Sequence, residues 1–412
     1  MKRMIYAATL ATTALASAAF AQDQVTLDFW EGHSLQEEGA TIKMIEAFEE
    51  SHPHISINRV KTSFGTNFEA ITTALASNTA PDVSPIWSGF LSQFAARGAL
   101  VDLTEHGVTD PSGSIYPGAV DYVTWDGGIY GLPYAFDPRF IVYNAAALEE
   151  AGLEPAETFD EMISMAEQLA VVGDDGTVVR YGFGLGSADA LAYFFINLLY
   201  AQGGDVFNED GTQAAFNDEA GVAAGEIIAR LAEQPGNTLN AQGDVVRQGV
   251  LTGRIAMVYD GPWVFHTAAQ DDTSQEFVVG SVPTVAESDD PLNFGSVGAY
   301  VVYEQSEHPE EAAEFVRFLA SPEAQQFRVE ALKPGVSPDV LNQDVAQQTF
   351  DEWPALRTAQ EELANSRIFP KHENWSAVYQ AIIPAIEAIV SGDDVQGALD
   401  SAARQADRAL RR

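Results

Sequence analysis

The chain runs to 412 residues and carries 60 Asp and Glu against 21 Lys and Arg, a formal charge of -39; five of the bases are lysines, and there is no cysteine. Nucleic acid, anionic membrane surfaces and strongly anionic ligands are poor partners for such a field, and the lack of cysteine excludes disulfides and a lipid on the first mature residue. At 46% hydrophobic residues a sizeable core is available, and the acidic excess reads as a solvated surface suited to salty surroundings.

Lys2 and Arg3 precede an apolar, Ala-rich run that closes on Ala19-Phe20-Ala21, the pattern of an export signal over residues 1–21, so the mature chain is expected to start at Gln22. That run is too short to span a bilayer, and no later stretch approaches the ~20 apolar residues a spanning helix needs. The remaining length suggests two domains or one bilobed unit at ~150 residues per domain. Val25, Leu27 and Phe29 alternate with polar residues and predict a strand. Ile42, Ile45 and Phe48 predict a helix over 37–50, ended by His52-Pro53. A strand at 55–60, a helix at 68–76 and a strand from Val83 to Trp87 follow, and this alternation implies a parallel, doubly wound sheet.

The pattern then repeats. A strand is expected from Phe140 to Tyr143, a helix from Asn144 to Ala151 with Gly152 beyond it, and a helix from Thr158 to Val171 whose Thr158 and Glu161 have capping-box spacing. Tight turns are expected at 173–176 and 208–211, and the all-round apolar stretch from Tyr193 to Ala201 reads as a buried helix. Gly253 to Tyr259 predicts a central strand with Gly261-Pro262-Trp263 at its exit, and 277–282 and 299–303 predict two more strands. Pro309 starts a helix carrying Phe315, Phe318 and Leu319, and the end of the chain is helical apart from a break at Ser391-Gly392. No short repeat or heptad run is present.

Four stretches taken together carry a family resemblance. They are Ala80-Pro81-Asp82-Val83 with Gly98 to Leu103; Gly128 to Pro133 with Tyr143-Asn144 and Ala151-Gly152-Leu153; Gly253 to Met257 with Gly261-Pro262-Trp263; and His308 to Ala312 with Phe315-Val316 and Ser321 to Ala324. In this order the chain resembles the family 1 extracellular solute-binding proteins of ABC sugar importers, the maltose and trehalose binders among them. The resemblance implies an α/β fold of periplasmic-binding-protein type, with two lobes of doubly wound sheet joined by three hinge crossings and a ligand cleft between them. The first lobe would be 22–135 with 300–333 and the second 138–297 with 338–412, with crossings near Tyr134 to Pro138, Gly298 to Val302 and Pro334 to Ser337. The same resemblance implies a monomeric periplasmic protein, not an enzyme, that passes a small sugar to the permease subunits of an inner-membrane transporter, with no cofactor, no metal and no nucleic-acid partner.

Sugars present hydroxyls that want carboxylates or a guanidinium fork, and apolar C–H faces that want aromatic rings. By resemblance, Trp263 would be the stacking platform and Asp137 a carboxylate gripping hydroxyls. Glu37 would be a hydroxyl acceptor at the start of the first helix, and Asn67 a polar contact before the second. Trp87 with its neighbour Ser88 stands where trehalose-type relatives carry an acid, and Arg367 would reach the sugar from the second lobe. Each has a structural reading as well: core packing for the tryptophans, capping or turn roles for Asp137 and Asn67, a dipole-favoured position for Glu37, a surface ion pair for Arg367. Where many relatives show Gly-Gly-Trp this chain reads Ser296-Val297-Gly298, so Gly298 lies at the site and the second aromatic wall is either lost or replaced by Tyr300 or Trp375; Ala135 stands where an aromatic is common.

The expected ligand is a neutral mono- or oligosaccharide, a disaccharide such as an α-glucoside foremost. Glycerol 3-phosphate or another polyol is the alternative, disfavoured because only Arg367 among the candidates is basic while Glu37 and Asp137 would repel a phosphate. A secreted glycoside hydrolase would need two carboxylates about 5 to 10 Å apart, and no local motif marks a pair. His52-Pro53-His54 lacks metal-site spacing, Gly182-x-Gly184-x-Gly186 lacks the dinucleotide fingerprint, and Ser88 and Ser296 lack a nucleophile elbow.

Overall fold

The computed structural model describes residues 24–31, 38–62, 67–87, 89–108, 115–233, 243–271, 275–284 and 293–411. Its strands in chain order are β1 (Val25–Glu31), β2 (Ile55–Lys61), β3 (Val83–Trp87), β4 (Thr124–Trp125), β5 (Gly128–Ile129), β6 (Leu132–Pro138), β7 (Phe140–Asn144), β8 (Val171–Val172), β9 (Val178–Gly184), β10 (Ile255–Asp260), β11 (Phe277–Gly280), β12 (Asn293–Val302) and β13 (Ser366–Arg367). Two sheets organise them. The first runs β13-β12-β3-β1-β2 with β6 also paired to β12, and the second runs β11-β7-β10-β9-β8.

In the first sheet β1 is parallel to β2 from Val25↔Ile55 to Glu31↔Lys61 and meets β3 at Phe29↔Val83, with helices Glu38–Ser51 and Asn67–Ser77 as the crossovers. Leu27 and Phe29 point into a core with Phe48, Phe315 and Val316 while Thr26 and Asp28 face water, which is why the alternation was readable. The second sheet is covered on both faces. Ile141, Tyr143 and Met257 pack with Phe183, Phe194 and Ile382, whereas Phe140, Val142 and Val258 pack with Val250, Phe265 and Phe350. Burial on both sides explains why β7 and β10 read as continuous apolar runs. The result is the two-lobed α/β architecture expected of the sequence.

Local signals place the elements. Thr158 Oγ1 accepts from Glu161 N at 3.2 Å and Glu161 Oε2 accepts from Thr158 N at 3.1 Å, completing the capping box of helix Phe159–Leu169. Asn144 ends β7 and caps helix Ala145–Ala151, accepting from Ala147 N at 3.0 Å, while its Nδ2 donates to Val250 O at 3.0 Å and Gln275 Oε1 at 2.9 Å. It therefore ties β7 to the end of helix Gly243–Leu251. Asn144→Ala removes the cap and strands a buried carbonyl, and should cost about 2–3 kcal/mol. Asn144→Asp, which keeps the cap acceptor but sets a buried carboxylate oxygen against the Val250 carbonyl, should be at least as destabilising in urea denaturation.

Several boundaries differ from expectation: the helix expected to reach Val171 ends at Leu169, and Val171 belongs to β8. The strand expected at 299–303 begins at Asn293, and the expected first crossing at Tyr134 to Pro138 is itself β-structure: β6 and β12 pair from Leu132↔Tyr300 to Pro138↔Gly295, with a bulge at Gly298/Ala299. This stretch is thus one half of a two-stranded ribbon, β6 on β12. Gly295 and Gly298 weaken the strand signal in the sequence, yet they leave room for the rings of Phe136 and Tyr134, which sit where β-carbons would be. No described helix is long and apolar enough to cross a membrane.

Candidate functional site

The sheet register sets Trp87, Gly298 and Ala135 in one row, since Gly298 is opposite Trp87 on β3 and Ala135 on β6. Tyr134 fills the space above this row. A β-carbon on Gly298 would fall 2.8 Å from Tyr134 Cζ; the ring stacks on Tyr300 at 4.2 Å, meets the half-buried Trp87 edge-on at 5.6 Å, and carries the Arg328 guanidinium 4.8 Å from its centroid. Tyr300 lies beneath Tyr134 and is buried against Phe29.

Trp263 opens the helix Trp263–Gln270 directly after β10 and is half-buried. Its indole N–H donates to Asp260, the last residue of β10. Asp260 is gripped from behind by Arg247, whose Nε and Nη2 donate to its two oxygens at 2.8 and 3.1 Å, while Nη1 reaches Asp244 at 2.6 Å. Burial opposes the charge on Arg247, but the two carboxylates outweigh it and hold its pKa above the ordinary arginine value. The relay from Arg247 through Asp260 fixes the plane of the Trp263 ring. Around that ring stand the Arg139 guanidinium at 4.2 Å, Arg247 at 5.5 Å and the Lys333 ammonium at 5.7 Å.

Arg139 follows the end of β6, and Nη2 donates to Ser296 Oγ at 3.2 Å on β12, opposite Asp137. Asp137 is only 1% exposed. The other side of Arg139 lies 5.4 Å from the ring of Tyr193, which continues through Phe369 at 4.9 Å to Trp375 at 4.9 Å. Trp87, Gly298, Asp137, Trp263 and Trp375 thus fall along one seam where the two sheets meet, linked by Tyr134, Arg139 and Tyr193.

Other candidates have local partners. Asn67 accepts from Thr62 Oγ1 at 2.8 Å and donates to Pro85 O at 3.3 Å, tying the end of β2 to β3. Arg367 pairs with Asp205 at 2.6 Å and lies 3.8 Å over the ring of Tyr200; burial drives the Tyr200 hydroxyl pKa well up, and the nearby guanidinium only partly offsets that. Trp375 is 1% exposed, packed with Phe369, Tyr379 and Phe207, and its indole edge lies directly over Gly89 of the first lobe. Glu37 and Ser88 lie outside the described residues. Among the described residues no group of three or more His, Asp and Glu is placed to hold a metal ion.

Sequence reasoning did not single out Arg139, Lys333, Tyr193, Arg247 or Asp260. A signal existed for two of them. Arg139 directly follows the first expected crossing, and Lys333, one of only five lysines, directly precedes the third.

Residues 32–326 match the bacterial extracellular solute-binding protein family, and the chain belongs to that family. Its members bind solutes and are not enzymes. The chain is 26% identical to the lactose-binding protein of Rhizobium radiobacter over 335 residues, which span 77% of this chain and 75% of that one. Among solved structures it resembles an ABC transporter solute-binding protein from Thermotoga lettingae bound with alpha-D-tagatose, at a TM-score of 0.81 and 24% identity over 93% of this chain and 99% of that chain. It also resembles UgpB from Mycobacterium tuberculosis in complex with glycerophosphocholine, at a TM-score of 0.82 and 19% identity over 94% and 98% of the two chains.

Proposed function

We propose that this protein is the substrate-binding component of an ABC importer for a carbohydrate of one or two rings, taken up at the seam between lobes and presented to the membrane permease. The carrying observation is Trp263, a half-buried indole at a strand exit whose N–H is held by Asp260 and whose plane is fixed by Arg247. A rigid ring of this kind suits the C–H face of a sugar. Asp137 on β6 is a carboxylate for hydroxyls, and Trp87 offers a second aromatic surface. In this reading 22–135 with 300–333 forms one lobe, 138–297 with 338–412 the other, and the β6–β12 ribbon is the flexible joint. The likeness to a lactose-binding protein supports a carbohydrate ligand.

A thermal-shift screen over mono- and disaccharides tests the reading, because a ligand that binds only the folded form raises the melting temperature. At least one sugar is expected to do so. Trp263→Ala is expected to weaken that sugar by about 2 kcal/mol, roughly thirtyfold, on the scale of an interface hot spot. A screen in which no carbohydrate shifts the transition would reject the proposal.

A further inference from the structure

Among the described residues two bases at the seam lack the carboxylate partners that other bases of this chain possess. Lys333 is 3% exposed and Arg139 is 8% exposed. Among the described residues neither forms an ion pair; Lys333 Nζ lies 5.7 Å from the Trp263 ring, and the buried Nη1 of Arg139 has no acceptor, its Nη2 donating to Ser296. The contrast with Arg247 is direct: equally buried, it is balanced by Asp260 and Asp244. Partly buried bases also find carboxylates, as Arg59 does with Glu31 and Glu38, and Arg180 with Glu150. With 60 acids available to 21 bases, a missing counter-ion is not a matter of supply.

A buried cation without a counter-ion is costly, and an aromatic face compensates only part of that cost. Both cations lie against Trp263, the ring on which the carbohydrate reading places the ligand. Asp260 is already engaged by Arg247. Among the described residues Trp263 thus faces two cations, Arg139 and Lys333, that form no ion pair, inside a protein whose overall charge is strongly negative. We propose that the ligand closes this balance itself: it is a sugar bearing an anionic group, a carboxylate or a phosphate, which Arg139 and Lys333 bind while Trp263 stacks on the ring. This rests on the carbohydrate reading of the site. It revises the expectation of a neutral ligand, because the charge a ligand meets in a desolvated seam is that of the groups lining it, the distant surface being screened by solvent and salt.

Matched pairs supply the test: D-glucose against D-glucuronate and D-glucose 6-phosphate, D-galactose against D-galacturonate, and lactose against lactobionate, each followed by thermal shift and calorimetric titration of the full chain. In at least one series the acid or the phosphate should bind at least about tenfold tighter than the neutral parent, as expected for a charge-assisted contact. The member that binds distinguishes carboxylate from phosphate. Lys333→Met should abolish the preference while leaving the unliganded protein no less stable, and Lys333→Arg should retain it. Neutral parents binding as well as or better than their anionic partners in every series would overturn the inference and leave the carbohydrate reading standing. Binding by no member of any series would overturn both.

Discussion

Asp260→Ala is expected to lower the stability of the protein by about 3–5 kcal/mol, the scale of breaking a buried ion pair by removing one member. Arg247 would keep its charge in a site that is 7% exposed and lose both hydrogen bonds from its fork, retaining only Asp244, whose side chain is largely in water. The same substitution removes the acceptor of the Trp263 N–H, so carbohydrate affinity should fall by at least as much as in Trp263→Ala even in conditions where the fold persists. Asp260→Asn retains an acceptor oxygen for the indole but not the charge, and should destabilise less. The decisive variant is Asp260→Leu combined with Arg247→Met. Replacing both members of a buried pair with apolar residues of similar size is often neutral for stability, so urea denaturation should recover toward wild type while sugar binding stays lost. Recovery of binding together with stability would show that the relay serves only the fold and that the plane of Trp263 is held by other contacts.

Much of the architecture is legible because its causes are local. The capping box at Thr158 and Glu161, the cap at Asn144 and the alternation of β1 each need only neighbours within a few residues. The exit of β10 at Gly261-Pro262-Trp263 is equally local. The β6–β12 ribbon was not legible, since the glycines that make it possible lower strand propensity and their justification, the rings of Tyr134 and Phe136, lies on another strand. The site shows the same division. Trp87 ends β3 and Trp263 follows β10, strand ends that the sequence made legible, while Asp137 and Gly298 lie on the paired strands β6 and β12. Arg139 and Lys333 escaped notice because a base in an acidic sequence reads as a surface residue, and only packing reveals that these two are buried with no ion pair among the described residues. Asn67 and Arg367 show the converse, polar residues at suggestive positions whose side chains hold neighbouring elements together.

Gly89→Ala is expected to weaken carbohydrate binding by about a hundredfold while lowering the melting temperature of the unliganded protein by only a few degrees. Gly89 follows β3 with φ of 86°, so alanine there costs roughly 1 kcal/mol of backbone strain. The larger effect comes from what faces it. A β-carbon would collide with Nε1 and Cδ1 of Trp375, whose helix Trp375–Val390 belongs to the core of the other lobe. Nearby, Ser92 Oγ donates to His372 O at 3.4 Å, and Lys371 Nζ reaches Asp121 Oδ1 at 2.5 Å and Asp121 O at 3.1 Å, so this patch is where the lobes touch. A collision here penalises the touching arrangement and leaves a separated one unaffected, and a ligand can draw the lobes together only by its extra affinity for the closed form. Calorimetry should therefore show the lost affinity, and small-angle scattering should show that the sugar no longer contracts the variant. Trp375→Phe in the same chain removes the five-membered ring that meets Gly89, and should restore at least about tenfold of the binding, a coupling that two independent substitutions would not show. Full affinity in Gly89→Ala alone would mean that capture proceeds without bringing Gly89 and Trp375 together.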